Sequence, residues 1–374
     1  MRFTVSSTAL SSKLTALSRV INAKNSLPIL ADFVFDIKDN ILCLTASDSE
    51  NVMTTEQGLT ESDGYGRFAI GSKDLLEAVK GFSEQPITFD VNQDTNIAKI
   101  SYQNGLFSMP IKSADEFPQA QTVGADATTI LMPSNILADN LGRTLFATAQ
   151  DELRPVMNGI YFDLTAECLS IVATDGHKLV RNKILSIHSE QPTAFILPKK
   201  PATLLRNMLQ KEGGDVEIRF DERNAVITYD EGSITCRLIE GRYPNYNSVI
   251  PQNNPNELNI DRKILIGALR RVLPFASDSS LLVRVHLESG KMEISSEDID
   301  FATSAKEEIT CDYTGNAMNI GFKGPSLAEI LNNLSSDQVT LLLADPSRPC
   351  LILPSEQPEN QDILMLIMPM LLND

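Results

Sequence analysis

A chain of 374 residues, 42% apolar and 22% charged, is long enough for several hydrophobic cores and too apolar to be disordered. Its net charge of −17 weighs against simple nucleic-acid binding, because phosphate contact needs a basic footprint. The longest apolar run, ILMLIMPMLL (363–372), is too short to span a bilayer, and the opening MRFTVSSTAL lacks the apolar stretch of a leader. We therefore expect a cytoplasmic protein with no membrane partner.

In chain order, MRFTV alternates apolar and polar residues as a strand does. Leu14, Leu17 and Ile21 then recur at helical spacing, which predicts a helix within 11–24. FVFDI and ILCLTAS read as strands, 70–82 as a second helix, and PITFDV as a further strand. The pattern begins again with a helix in 134–147, the strand IYFDL, a helix in 199–211 and the strand VEIRF. It comes a third time with helices in 261–273 and 320–334 and the strand VTLLLA. Each unit is thus α+β, two helices on one face of an antiparallel sheet.

Four markers put these units in one register. LTASD, IVATD and ISSED end at Asp48, Asp175 and Asp298. IGSK (70–73), ILPKK (196–200) and IGFK (320–323) keep the same steps. So does LPILADFVFDI (27–37) with RPVMNGIYFDL (154–164), and Phe117-Pro118 with Tyr243-Pro244 comes within one residue, at 126. The chain reads as three tandem repeats, 1–125, 126–251 and 252–374.

Charge is segregated between the elements. The six helix segments hold 15 basic and 5 acidic residues, whereas the rest of the chain holds 17 basic and 44 acidic. Equivalent helices sharing a positive face suit an unspecific phosphate backbone, and no aromatic interleaves the basic residues of KKPATLLRNMLQK to stack on bases. No Walker loop, GxGxxG, GxSxG or HExxH motif is present. The five scattered cysteines lack metal-ligand spacing, and SSEDIDF (295–301) lacks the spacing and glycine of a calcium loop. No cofactor or metal is expected.

ATDGHKL (173–179) gathers Asp175, His177 and Lys178 as a catalytic cluster would. Asp175 recurs in all three repeats, so it should turn the end of a strand, with Gly176 supplying a positive φ. We set His177, Lys178 and Leu179 beside Ser49, Glu50 and Asn51 in repeat one and Ile299, Asp300 and Phe301 in repeat three, so these residues belong to the middle copy alone. Such a local departure fits a binding pocket. A hydrolase using Asp175 and His177 would need a nucleophile motif that is not visible, and a repeat scaffold that never meets DNA would leave the basic helices without a role.

ATDGHKL, together with CRLIEGRYPNYNSVIP (236–251), the terminal IMPM (367–370), MRFTV and LPILADF, resembles the bacterial sliding-clamp family, the β subunits of DNA polymerase III. The resemblance runs end to end; Leu371 stands where the family usually has Arg, and further residues follow. It implies the DNA-clamp fold three times over and a head-to-tail homodimer forming a six-domain ring. Twelve helices, each about 10 Å across, would enclose a bore on the order of 28 Å. It also implies a non-enzymatic processivity factor in DNA replication that encircles double-stranded DNA without sequence preference. Short apolar peptides of the polymerase III α subunit, the clamp loader, other polymerases and mismatch-repair proteins would dock between the second and third repeats.

Carried over by motif, that pocket is Met157, Thr174, Gly176, His177, Lys178, Leu179, Pro244, Ser248, Val249, Leu366, Met368, Pro369 and Met370, with the Thr, His and Lys at its rim and Ser248 retuning one contact. Candidate DNA contacts are Lys24, Lys73, Lys199, Lys200, Arg206, Arg270 and Arg271. Exposed-edge candidates for the dimer interface are Leu106, Phe107, Met109, Val272 and Leu273.

Overall fold

The structure is a computed structural model that describes residues 1–25, 27–210 and 213–372. Lys211, counted with the fourth helix, and the terminal Asn373 and Asp374 lie outside the described residues. Six α-helices occur among the latter: α1 (Ser7–Leu17), α2 (Ser72–Lys80), α3 (Ser134–Leu145), α4 (Lys199–Leu209), α5 (Arg262–Val272) and α6 (Gly324–Asn332).

The first of them starts earlier than periodicity suggested. Strand Arg2–Ser6 runs directly into α1, because the Ser6 hydroxyl caps it by accepting from Ala9 N at 3.2 Å. The helix ends at Leu17, so Lys24 lies beyond it. Asp261 caps α5 in the same way, accepting from Ile264 N at 2.9 Å. That helix buries Leu265, Ala268, Leu269 and Val272, a stripe at spacings of three and four. Val272, expected on an exposed edge, is 1% exposed and belongs to the core.

Every strand ladder is antiparallel, and sheets run across the repeat boundaries. Asn51–Gly58 of repeat one pairs with Gly232–Arg237 of repeat two, Met53 opposite Ile234. Lys178–Ile184 of repeat two pairs with Gln361–Ile367 of repeat three, Val180 opposite Met365. Thr303–Thr310, the corresponding strand of repeat three, pairs only with Lys291–Asp298 among the described residues and forms the outer strand of a four-stranded sheet.

The chain packs as two compact units, residues 1–138 with 203–238, and residues 139–202 with 239–374. The middle repeat is therefore divided between them, the larger part going to the second. The first unit is built on phenylalanines, with Phe3 stacked on Phe89 at 4.8 Å and Phe35 on Phe68 at 5.2 Å. The second is built on aliphatic side chains, including Val180, Leu265, Leu269, Val285, Ile294 and Met365.

The three marker aspartates do one job. Asp48 Oδ1 accepts from the amides of Glu50 and Asn51, Asp175 Oδ1 from those of His177 and Lys178, and Asp298 Oδ1 from those of Asp300 and Phe301. Each closes an Asx turn at the end of a strand. Gly176 has φ +90°, and Ser49 takes the matching place with φ 82°. These bonds correct our alignment by one residue: His177 corresponds to Glu50 and Asp300, and Lys178 to Asn51 and Phe301.

Candidate functional site

The turn at Asp175 sits at the end of strand Leu169–Thr174, and the chain leaves it as Lys178–Ile184. The last long strand, Gln361–Ile367, lies alongside with Leu179 opposite Leu366. Just past its end, Met368 N donates to His177 O at 2.8 Å. Leu179 and Leu366 are buried in an apolar cluster with Val172, Ile196, Tyr243, Tyr246 and Ile250. His177 and Gly176 are exposed above it, Met368 is 37% exposed and Pro369 is half-buried. Met157 is buried in the short turn Pro155–Asn158, and its Cε would lie 3.9 Å from a Cβ placed on Gly176.

A second wall comes from the short helix Tyr246–Val249 and the residues before it. Pro244, Ser248 and Val249 are exposed on this wall. Beneath them Tyr243 stacks on Tyr161 at 4.6 Å, and Tyr246 donates from its hydroxyl to Asp163 Oδ2 at 2.8 Å. Burial, with the Asp163 carboxylate beside it, pushes the Tyr246 phenol up to about 12, so it stays a donor. Ser248 Oγ donates to Asn245 O at 2.7 Å within its own turn. Sequence reasoning missed this tyrosine floor, though YPNYN gave two of its members.

Two of the three polar rim residues are placed otherwise than expected. Thr174 is buried; its hydroxyl donates to Lys178 O at 2.8 Å and accepts from Gly176 N at 3.1 Å. Lys178 is also buried, and its ammonium lies 3.0 Å from Asp175 Oδ2, 3.2 Å from Glu329 Oε2 on α6, and 5.9 Å above the Phe146 ring. Burial pulls its pKa down, but the hydrogen bond and charge of Asp175, then Glu329, outweigh this and hold it above the usual lysine value. Asp175 is pushed up by burial but held below the carboxylate range by the His177 and Lys178 amides and the Lys178 ammonium. Only His177 faces solvent from the polar rim. Met370 N donates to Gly321 O at 2.8 Å, and Met370 lines a groove with Ser277, Arg284, Asp298 and Leu371.

Among the basic candidates, Lys73 on α2 and Arg270 on α5 are exposed, as is Lys24 outside α1. Lys199, Lys200 and Arg206 are half-buried on α4. Arg271 is exposed but occupied, its guanidinium gripping both oxygens of Glu307 at 2.5 and 2.7 Å. The observed helices hold 11 basic and 4 acidic residues, so their charge remains positive although they are shorter than expected.

Strand Gly105–Lys112 carries Leu106, 59% exposed, with Phe107 and Met109 half-buried. It pairs along its length with Ile97–Tyr102, but on the other side only through Ile111 and Lys112. Leu273 is half-buried against the core beside Gly324.

Sequence models of the DNA polymerase III β subunit match the chain in succession: the N-terminal domain at residues 1–121, the central domain at 131–245 and the C-terminal domain at 247–371. The β sliding clamp of Pseudomonas putida is 26% identical over 371 residues, covering 99% of this chain and all of that one. That of Synechococcus elongatus is 27% identical over 356 residues, covering 92% and 93%. Among solved structures, a sliding clamp from Pseudomonas aeruginosa superposes over the whole of both chains with a TM-score of 0.94 at 24% identity. The β subunit from Thermotoga maritima gives 0.89 at 25%, again over both whole chains. The chain belongs to the DNA polymerase III β-subunit family, the β sliding clamps.

Proposed function

We propose that two copies of this chain close into a ring around duplex DNA and tether DNA polymerase III to it, without catalysing a reaction. One observation carries the ring. In repeats one and two, the strand after the marker turn is covered by the last strand of the following repeat. Thr303–Thr310 occupies that position in repeat three and has an open outer edge. The first repeat's last strand, Gly105–Lys112, is open on one side along most of its length. Carrying over the pairing of Asn51–Gly58 with Gly232–Arg237 lays Thr303–Thr310 along the partner subunit's Gly105–Lys112. Each copy would then satisfy the other's open edge, in a closed two-fold assembly.

The helices supply the DNA-facing charge, through Lys73, Lys199, Lys200, Arg206 and Arg270, with Lys24 beyond the end of α1 beside them in the role, and the acidic remainder keeps duplex off the outside. The surface around His177, Met368, Pro244 and Val249 takes short apolar peptides of the polymerase III α subunit, the clamp loader, other polymerases and mismatch-repair proteins. Its support is an apolar floor with the exposed side chain of His177 and a flexible methionine at the rim. The test is solution mass together with retention on circular and linear DNA. A dimer held on closed circles and lost from linear duplex is expected; a monomer, or equal retention on both, overturns the reading.

A further inference from the structure

We propose that Glu329, on α6, is a positioning residue for peptide binding, acting through Lys178. This rests on the reading of the surface around His177 as the peptide socket. Glu329 holds the ammonium of a lysine whose backbone is part of the socket turn. Lys178 N donates to Asp175 Oδ1 at 2.9 Å and Lys178 O accepts from Thr174 Oγ1. The adjoining His177 O receives Met368 N. Anchoring the Lys178 side chain between Asp175 and Glu329 therefore fixes the turn to which the Met368 end of the last strand is bonded.

The repeats show that the fold does not demand this anchor. Three residues after the marker aspartates stand Asn51, Lys178 and Phe301. Six residues after Lys73, Lys200 and Lys323 stand Val79, Arg206 and Glu329. The junction of repeats one and two thus offers Asn51 with Arg206, and Asn51 spends its amide on Asp48 at 3.1 Å. Only the junction carrying the socket offers a lysine and a glutamate. The pair also changes the chemistry of the socket. With Glu329 present the ammonium is buried and compensated; without it, Lys178 has one carboxylate left and gains by turning out toward solvent at the rim.

The test uses a labelled peptide of the C-terminal tail of the polymerase III α subunit from the same organism, titrated against the full chain. We expect Glu329→Gln to weaken binding about fivefold or more, Glu329→Asp to stay within about twofold of the parent, and Glu329→Gln to add nothing in a Lys178→Gln background. Dimer mass should be unchanged throughout. His177→Ala is the control. If it weakens binding while Glu329→Gln does not, or if Glu329→Gln costs as much in the Lys178→Gln background as alone, the positioning role is overturned and the socket stands. If His177→Ala binds as the parent does, the socket reading fails, and the inference with it.

Discussion

Met368 donates its amide to the carbonyl of His177 at 2.8 Å, joining the C-terminal segment to a turn in the middle repeat. Both side chains are exposed while the backbones beneath them are fixed. A chain ended after Ile367, and separately His177→Ala, should each lose at least tenfold in affinity for an apolar polymerase-tail peptide, measured by fluorescence anisotropy. Both should keep the parent's dimer mass.

Interface substitutions must be chosen by exposure. Leu273 packs beside Gly324, so Leu273→Asp would damage the fold as well as any contact between copies. Leu106 stands out from an open strand edge. Leu106→Asp should give monomers by light scattering while the melting temperature stays within a few degrees of the parent's.

Binding to duplex should weaken linearly in log–log plots against salt, with a slope near −0.9 per phosphate contacted. Lys73→Gln and Arg270→Gln should each reduce that slope by about one unit. Arg271→Gln should reduce it less, because Glu307 already holds the guanidinium. Affinity for unrelated sequences should agree within about tenfold.

Asp175 is the anchor of the socket turn. Asp175→Ala removes the acceptor for two amides and one carboxylate of a buried lysine, a loss of about 2–4 kcal/mol. The folded pKa of Asp175 is lowered, so its contribution is present above the ordinary carboxylate value of about 3.9 and fades as pH falls through the lower folded value. The Lys178 pKa is raised, so its contribution is full below about 10.4 and fades as pH rises through the higher folded value. The difference in unfolding free energy between parent and Asp175→Ala should be flat from about pH 5 to 9 and shrink below about pH 4.

Gly176 tests the turn independently of charge. Its φ of +90° makes Gly176→Ala costly by about 1–2 kcal/mol in chemical denaturation.

The job of the marker aspartates was legible because it is local: a turn of four residues carries its own hydrogen bonds. The start of α1 was misjudged because strand and helix share the run VSSTAL without a loop between them. Val272 could have been read as buried from its spacing after Leu265 and Leu269. The burial of Lys178 could not, since the carboxylate of Glu329 that makes it tolerable comes from another repeat. Nor could the backbone bond from Met370 to Gly321, which joins residues 49 apart.

Because Asn51–Gly58 pairs with Gly232–Arg237, the first unit cannot complete its sheet when the first repeat leaves the ribosome. At 5–20 residues per second the strand waits on the order of ten to forty seconds for its partner to be synthesised. Through that interval it is a bare edge of the kind that recruits other chains. Its residues answer the hazard: Thr54, Thr55, Glu56 and Gln57 make the second half of the strand polar, and Gly58 ends it. The nascent chain is thus protected by composition until synthesis supplies its cover.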